Sequence, residues 1–191
     1  MIRFVDSILA VLCLIIFSPL LLVCAIAIRM EDGLPVIYSQ ERIGLHGKPF
    51  MIYKFRSMRM NAEEDGAPLL LEKKGDNRLT HVGRFLRRHH LDELPQLWNV
   101  LKGDMAFIGP RPERKYYIDQ IIEQDPRYVY LYQIRPGVTS YATLYNGYTD
   151  SMEKMIRRLD LDLYYMEHRS VWLDTKILAK TFINITFGKV F

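Results

Sequence analysis

The longest uninterrupted apolar pattern in the chain, "ILAVLCLIIFSPLLLVCAIAI" from Ile8 to Ile28, contains no charged residue. It meets the roughly 20-residue length needed to cross a bilayer as a helix. No small-x-small cleavage site precedes Arg29, and the run is long for a signal peptide, so a retained membrane segment is expected. Ser18-Pro19 falls near its centre, where proline removes a helical hydrogen bond and crowds the preceding turn. Arg3 and Arg29 flank both ends, so charge bias sets no orientation. The residues by themselves favour a kinked single span over a re-entrant hairpin.

Beyond this segment the pattern changes repeatedly. Pro35 to Phe55 predicts a β-hairpin, because "PVIYSQ" and "PFMIYKF" are β-branched and aromatic and "ERIGLHGK" between them carries two turn glycines. Asn61 to Asn77 mixes acids, glycines and a leucine triplet, and reads as a loop or mobile lid. A basic helix is expected around Val82 to His89, with Arg84, Arg87 and Arg88 on one face at i, i+3 and i+4. Leu94, Leu97, Trp98 and Leu101 then follow helical spacing, and Gly103 supplies a stop. Pro95 suits the first turn, where backbone donors are unpaired, which puts Asp92 at or beside the N-cap.

Pro110 and Pro112 restrict the backbone on either side of Arg111 and predict a stiff loop presenting a guanidinium. "IRPGVTSYATLYNGYTD" is a further turn-rich segment with several hydroxyls. Met152, Met155, Ile156, Leu159 and Leu163 mark an amphipathic helix, with Lys154, Arg157 and Arg158 on its polar side. In the tail, Trp172, Phe182 and Phe187 stand among Lys176, Lys180 and Lys189, a mixture suited to a membrane interface. Core packing is an equal reading of the first of these two helices and a weaker one of the tail.

Composition narrows the class. The chain has 191 residues, 49% of them hydrophobic, enough for a folded core and too many for a disordered chain. A formal charge of +4 suits anionic partners without choosing among phosphates, membranes and nucleic acid. Nucleic acid ranks low as a partner, since no basic groove interleaved with aromatics is legible. Cys13 and Cys24 both lie in the apolar segment, read as small hydrophobes, and imply neither a metal site nor a disulfide framework. The Lys- and Arg-rich remainder offers no second uninterrupted span, which favours the cytoplasmic side.

The chemistry concentrates in "GRFLRRHHLDELPQLWNV", where Asp92 and Glu93 are adjacent beside a row of arginines. Alone, an acid at a helix start is most simply a cap, and nearby arginines a solvated face. Together they permit more. A helix N-terminus attracts anions, and carboxylates about 4 Å apart repel by about 4 kcal/mol at an effective dielectric of about 20, so cations must offset them. Arg87 and Arg111 have forks that match phosphate oxygens, and Mg²⁺ would bridge carboxylate and phosphate oxygens. A carboxylate so placed can attack phosphorus.

The motifs "KFRSM" (Lys54 to Met58), "GRFLRRHHLDELPQLWNVLKGDM" (Gly83 to Met105), "GPRP" (Gly109 to Pro112) and "RPGVT" (Arg135 to Thr139), in this order, resemble the bacterial sugar transferases. These are the monotopic phosphoglycosyl transferases that load undecaprenyl phosphate. The likeness covers nearly the whole chain, including "RFVDSILAVLCLIIFSPLLL" and "DLYY" (Asp162 to Tyr165), and looks like the short, catalytic-domain-only form. It implies that Asp92 is the nucleophile on the β-phosphate of a UDP-sugar and a Mg²⁺ contact, with Glu93 as its orienting or proton-transferring partner. It implies that Arg87 and Arg111 contact phosphate and that Lys54 and Arg56 belong to the substrate-binding signature. UMP would leave, and undecaprenyl phosphate would accept the phosphosugar, the first membrane step of surface glycan synthesis.

The resemblance also replaces the kinked span by a re-entrant helix-break-helix at Ser18 and Pro19. Both ends then lie at the cytoplasmic leaflet of a bacterial inner membrane. The expected fold is α+β, mainly helical: a membrane helix over residues 1–30, then a cytoplasmic catalytic domain over 31–191 with a small β-hairpin and interfacial helices. A homo-oligomer is left open. After "RPGVT", many relatives continue with Gly and "WAQ", whereas this chain reads Ser140-Tyr141-Ala142-Thr143, which leaves the identity of the sugar open.

Two other functions fit parts of the pattern. A membrane-tethered binding module would explain the charge and the apolar segment but not the acids between arginines. A simple glycosyl transferase would release UDP rather than UMP.

Overall fold

The computed structural model describes residues 2–60, 78–147 and 149–186. The loop or lid expected at Asn61 to Asn77, and Phe187 and Lys189 of the tail, lie outside these residues. Helix α1 runs from Ile2 to Asp32, about 46 Å of rise if straight. An interruption at Ser18-Pro19 was expected, yet the helix continues through it. Pro19 cannot donate to the carbonyl of Ile15, its i−4 partner, and the Ser18 hydroxyl donates to that carbonyl instead at 2.8 Å. The break is therefore satisfied locally.

One stripe of α1 is buried: Ala10 packs with Ile52, Val100 and Met105, while Cys24 and Ile28 pack with Phe55 and Leu86. Phe4, Ile15, Ile16, Leu22 and Val23 are 62–70% exposed. Contiguous bare apolar surface of this kind marks contact with a membrane or with another apolar partner.

The hairpin forms as expected, with β1 (Ile37–Ile43) antiparallel to β2 (Pro49–Phe55) and Ile37 opposite Phe55. Gly47 supplies a positive φ of 69° in the turn. Helix α2 (His81–Arg88) begins within one residue of expectation. Its N-cap Thr80 accepts from the Gly83 N–H at 2.9 Å.

Asp92 is placed differently from expectation. It lies inside a 3₁₀ turn, Leu91–Glu93, ahead of helix α3 (Gln96–Lys102). His90, at φ 54°, takes the N-cap position of that turn and Pro95 that of α3, neither with a side-chain cap bond. The N–H groups of Leu94, Leu97 and Trp98 bond the carbonyls of Leu91, Leu94 and Pro95, so the turn is satisfied by backbone and the buried Asp92 carboxyl is not needed as a cap.

Two short segments pair in parallel, β3 (Ala106–Ile108) with β4 (Gly137–Thr139). Gly109 and Gly137 let these backbones meet: a Cβ on Gly137 would lie 2.1 Å from the Gly109 nitrogen. Helix α4 (Lys115–Gln124), a 3₁₀ segment (Pro126–Gln133), α5 (Tyr141–Asn146), α6 (Met152–Glu167) and α7 (Val171–Thr186) complete the chain.

The apolar stripe of α6 is core, not interface. Met155 and Leu159 pack among Tyr117, Ile118, Ile121, Tyr128 and Leu131. In α7, Ile177 joins Ile108 and Tyr165 in the interior. Trp172 and Phe182 of the same helix stay 77% and 71% exposed.

The contact of α2 with the end of β2 is tight enough to test. A Cβ on Gly83 would stand 2.0 Å from the Ser57 carbonyl oxygen. Helix propensity alone predicts that Gly83→Ala stabilises by about 1 kcal/mol. The close approach predicts the opposite, a loss of about 2–3 kcal/mol in chemical denaturation. A gain would show that α2 is free to move off Ser57.

Candidate active site

The acid pair is built from three elements that meet above the hairpin. Asn99 of α3 is fully buried and docks that helix onto β2. Its side-chain amide donates to Met51 O at 2.7 Å and its carbonyl accepts from Tyr53 N–H at 3.0 Å. One side chain thus bonds two backbone groups of the strand on the edge where, among the described residues, no third strand pairs. It also fixes the 3₁₀ turn before α3 against Lys54, the residue after Tyr53.

Lys54 Nζ donates to Glu93 Oε1 at 2.6 Å. Both Arg111 terminal nitrogens approach the same oxygen at 3.5 Å. Asp92, 7% exposed, lies in the field of Lys54 and Arg87. Arg87 is aimed by its Nε, which donates to Ser57 Oγ at 2.8 Å. Three of the sequence-predicted groups therefore converge on the acid pair: Lys54 and Arg111 on Glu93, and Lys54 and Arg87 in the field of Asp92.

Arg56 does not join them. It is 5% exposed and donates to the carbonyls of Asp32 and Gly33 at 2.7 and 3.0 Å, with an ion pair to Asp32 at 3.2 Å. Alternation along β2 points it toward Lys54's side, but the strand ends at Phe55 and the side chain caps the end of α1. Beside it, Glu31 accepts from the backbone N–H groups of His81 and Val82, both at 2.7 Å, and so caps α2. These bonds set the depth at which α2, and with it Arg87, sits.

The two acids are driven apart electrostatically. Burial, then the charge of Glu93, pushes the Asp92 carboxyl above its ordinary range, against the pull of Lys54, Arg87 and His90. Burial would raise Glu93 as well, but Lys54 and Arg111 hold it well below the usual carboxylate range. Burial lowers the Lys54 ammonium, and Glu93 raises the Arg111 guanidinium. A pair separated in this way divides its work. Glu93 is held as an anion against two cations, and Asp92 is the more basic of the two.

Among the described residues, no group of three or more His, Cys, Asp or Glu side chains gathers as a metal cage. The cations on Glu93 all sit on Oε1, so Asp92 and the second oxygen of Glu93 are the carboxylate oxygens that the pair offers. That donor set fits Mg²⁺ carried in on phosphate oxygens, an ion commonly held by one or two carboxylates plus substrate.

Sequence reasoning missed several groups that shape the site. Asn99 and Ser57 stand inside the family motifs and Glu31 outside them, yet no spacing shows their contacts, since each acts on backbone or on one arginine across the fold. Asp162 was visible only as part of "DLYY". It is 1% exposed on α6, and burial pushes its carboxyl up to about 7.

The bacterial sugar transferase family model matches residues 1–188. A UDP-N-acetylgalactosamine-undecaprenyl-phosphate N-acetylgalactosaminephosphotransferase of Aeromonas hydrophila is 41% identical over 186 residues, covering 97% of this chain and 44% of that protein. A UDP-glucose:undecaprenyl-phosphate glucose-1-phosphate transferase of Caulobacter vibrioides is 42% identical, covering 94% of this chain and 67% of its own. A protein of the same name from Klebsiella pneumoniae is 42% identical, covering 95% and 40%. The chain thus spans 40–67% of the length of these relatives, whose names carry two different sugars.

Proposed function

The chain belongs to the bacterial sugar transferase family, and from that membership we propose that it moves a phosphosugar from a UDP-sugar to undecaprenyl phosphate, releasing UMP. The observation that carries the reading is the buried Asp92 whose neighbouring acid is neutralised by Lys54 and Arg111. A surface cap would need neither burial nor two cations.

In the first step an Asp92 oxygen attacks the β-phosphorus of the donor. A carboxyl–phosphorus bond forms, the bond to the UMP oxygen breaks, and UMP leaves with that electron pair. In the second step a phosphate oxygen of undecaprenyl phosphate attacks the same phosphorus, forming the diphosphate and returning the Asp92 carboxylate. Arg87 and Arg111 offset the phosphate charge, and Glu93 keeps Lys54 and Arg111 in place. Mg²⁺ held at Asp92 and the donor phosphates would supply further charge neutralisation.

A cytoplasmic, monotopic placement of residues 1–30, with residues 31–191 as the catalytic domain, is part of the proposal. It is supported by where the two ends of α1 are tied. Arg3 donates to the carbonyls of Val100 and Leu101 at the end of α3. At the other end, Glu31 caps α2 and Arg56 holds Asp32. Ends fastened to one folded unit support a placement of α1 at one face of the bilayer over a full span; the re-entrant form of that placement further requires a bend at Ser18-Pro19, where α1 runs on as a helix. The exposed Trp172 and Phe182 of α7 suit contact with the headgroup region. There a soluble nucleotide sugar meets a lipid phosphate.

The test is the nucleotide product. Purified protein with undecaprenyl phosphate, Mg²⁺ and UDP-glucose, UDP-N-acetylglucosamine or UDP-N-acetylgalactosamine should release UMP from one donor, and EDTA should stop it. UDP as the product would replace this mechanism by simple glycosyl transfer.

A further inference from the structure

The loop "GPRPE" ends in an acid that the proposed steps do not use. Glu113 is 8% exposed, and a carboxylate that deep must be paired. Arg158 of α6 donates to Glu113 Oε1 at 2.6 Å, and Arg42 of β1 stands 3.5 Å from Oε2. The three side chains are 11–15% exposed, so salt and solvent screen them weakly.

The backbone of the same loop is bonded from β1 as well. Arg42 donates to the Pro112 carbonyl at 3.3 Å, and the Ile43 N–H donates to the Glu113 carbonyl at 3.2 Å. Gln40 aims Arg42 by accepting from its guanidinium at 2.7 Å. Arg158 uses its second terminal nitrogen on the Thr149 hydroxyl. Asn146 donates to that hydroxyl at 3.3 Å and to the Lys154 carbonyl at 2.9 Å. Glu113 is thus the junction of three parts of the fold: the end of β1, α6, and the segment around Asn146 and Thr149.

Packing alone does not hold this loop. Arg111 and Glu113 border one small cavity together with Tyr128, Met155, Arg158 and Asp162. Arg111 and Pro112 border a second, with Arg42, Lys54 and Gln96. Atoms that face a void lose their dispersion contacts on that side, so directional polar bonds carry the placement of the loop. Pro110 and Pro112 stiffen it, yet a fixed φ sets the shape of a loop and not its position.

We propose that Glu113 is a positioning residue for the transfer reaction: paired with Arg158 and Arg42, it anchors the loop that carries Arg111 and so places that guanidinium at the acid pair. Both terminal nitrogens of Arg111 stand 3.5 Å from Glu93 Oε1, the outer limit of a hydrogen bond, so this contact does not fix the loop by itself. Placement matters because a guanidinium serves transition-state charge only if it is already positioned when the charge develops. The kinetic part rests on the transferase reading; the anchor itself does not.

Two measurements test this. The first is a double-mutant cycle on UMP release with wild type, Glu113→Gln, Arg111→Ala and the double variant. Glu113→Gln should lower kcat/KM roughly tenfold in the wild-type background and by no more than about twofold once Arg111 is gone. Equal losses in both backgrounds overturn the positioning role.

The second is amide hydrogen exchange without substrate. The Ile43 amide reads the anchor directly, because its bond is to the Glu113 carbonyl. Its exchange should accelerate in Glu113→Gln while α2 and α3 keep their protection. Unchanged exchange at Ile43 overturns the anchor, and equal acceleration through the whole chain reduces Glu113 to a stability residue, which also overturns the proposal. Should Glu113→Gln fold poorly, Arg42→Gln removes the side-chain bonds from β1 and leaves Glu113 paired with Arg158, and it is held to the same two criteria. A wild type that releases no UMP sinks the transferase reading, while exchange at Ile43 still decides whether Glu113 holds the loop.

Discussion

Asp92→Asn should lower UMP release by about 10³-fold or more while leaving the protein at least as heat-stable as the wild type. The loss follows from chemistry: an amide keeps the shape and much of the bonding of the carboxylate but has no anionic oxygen to attack phosphorus. Removing a nucleophile takes away nearly all of the catalysis that depends on it, leaving what binding and cations provide. The stability side follows from position. Asp92 is 7% exposed, and both burial and Glu93 oppose its charge. A neutral side chain of the same size relieves both, and each kcal/mol relieved should raise the melting temperature by about 2–4 °C. Rate and melting temperature should therefore move in opposite directions, the pattern of a residue kept for function at a cost in stability. Turnover within tenfold of wild type would end the nucleophile assignment. A marked fall in melting temperature would show that Asp92 is mainly a structural acid.

Lys54→Met should destabilise the fold by about 3–5 kcal/mol, the range for breaking a buried pair by removing one partner. The side chains of Lys54 and Glu93 are 18% and 17% exposed and meet at 2.6 Å, so solvent screens them poorly. Without Lys54, Glu93 keeps Arg111 at 3.5 Å, too far to replace the lost bond. Adding Glu93→Gln to Lys54→Met should restore much of the stability, because the uncompensated buried charge is then gone. Activity should remain lost in both, since each lacks the Lys54 cation whose field reaches Asp92. Chemical denaturation of the four proteins in this cycle measures the coupling. Wild-type stability in Lys54→Met alone would mean that the pair contributes no more than an exposed salt bridge. It would also remove the argument that Glu93 is held as an anion.

The single observation on which the functional reading depends, the cations around the acid pair, was half legible in the chain. Arg87 sits five residues before Asp92, on a helix whose periodicity is plain, so its presence nearby follows from local geometry. Lys54 and Arg56 are two residues apart in one signature and look equivalent in sequence. Only the end of β2 at Phe55 separates them, sending Lys54 to Glu93 and Arg56 to the last carbonyls of α1. The α6 stripe shows the same limit. Its helical spacing was readable, but not whether lipid or protein would cover it, because periodicity reports an apolar face and not its partner.

What the sequence determined alone is what depends on neighbours along the chain: a long helix with an uncharged stretch from Ile8 to Ile28, a hairpin with turn glycines, the α2 and α3 periodicities, and the adjacency of Asp92 to Glu93. What only the tertiary structure decided depends on residues far apart meeting. Asn99 bonds Met51 O and Tyr53 N–H on the outer edge of β2, Gly109 and Gly137 let two three-residue strands touch, and Arg3 and Glu31 tie both ends of α1 to one unit. Each of these is a polar or steric requirement of buried backbone. It is met by whichever side chain the fold delivers to that spot, so it leaves no periodic trace in the order of residues.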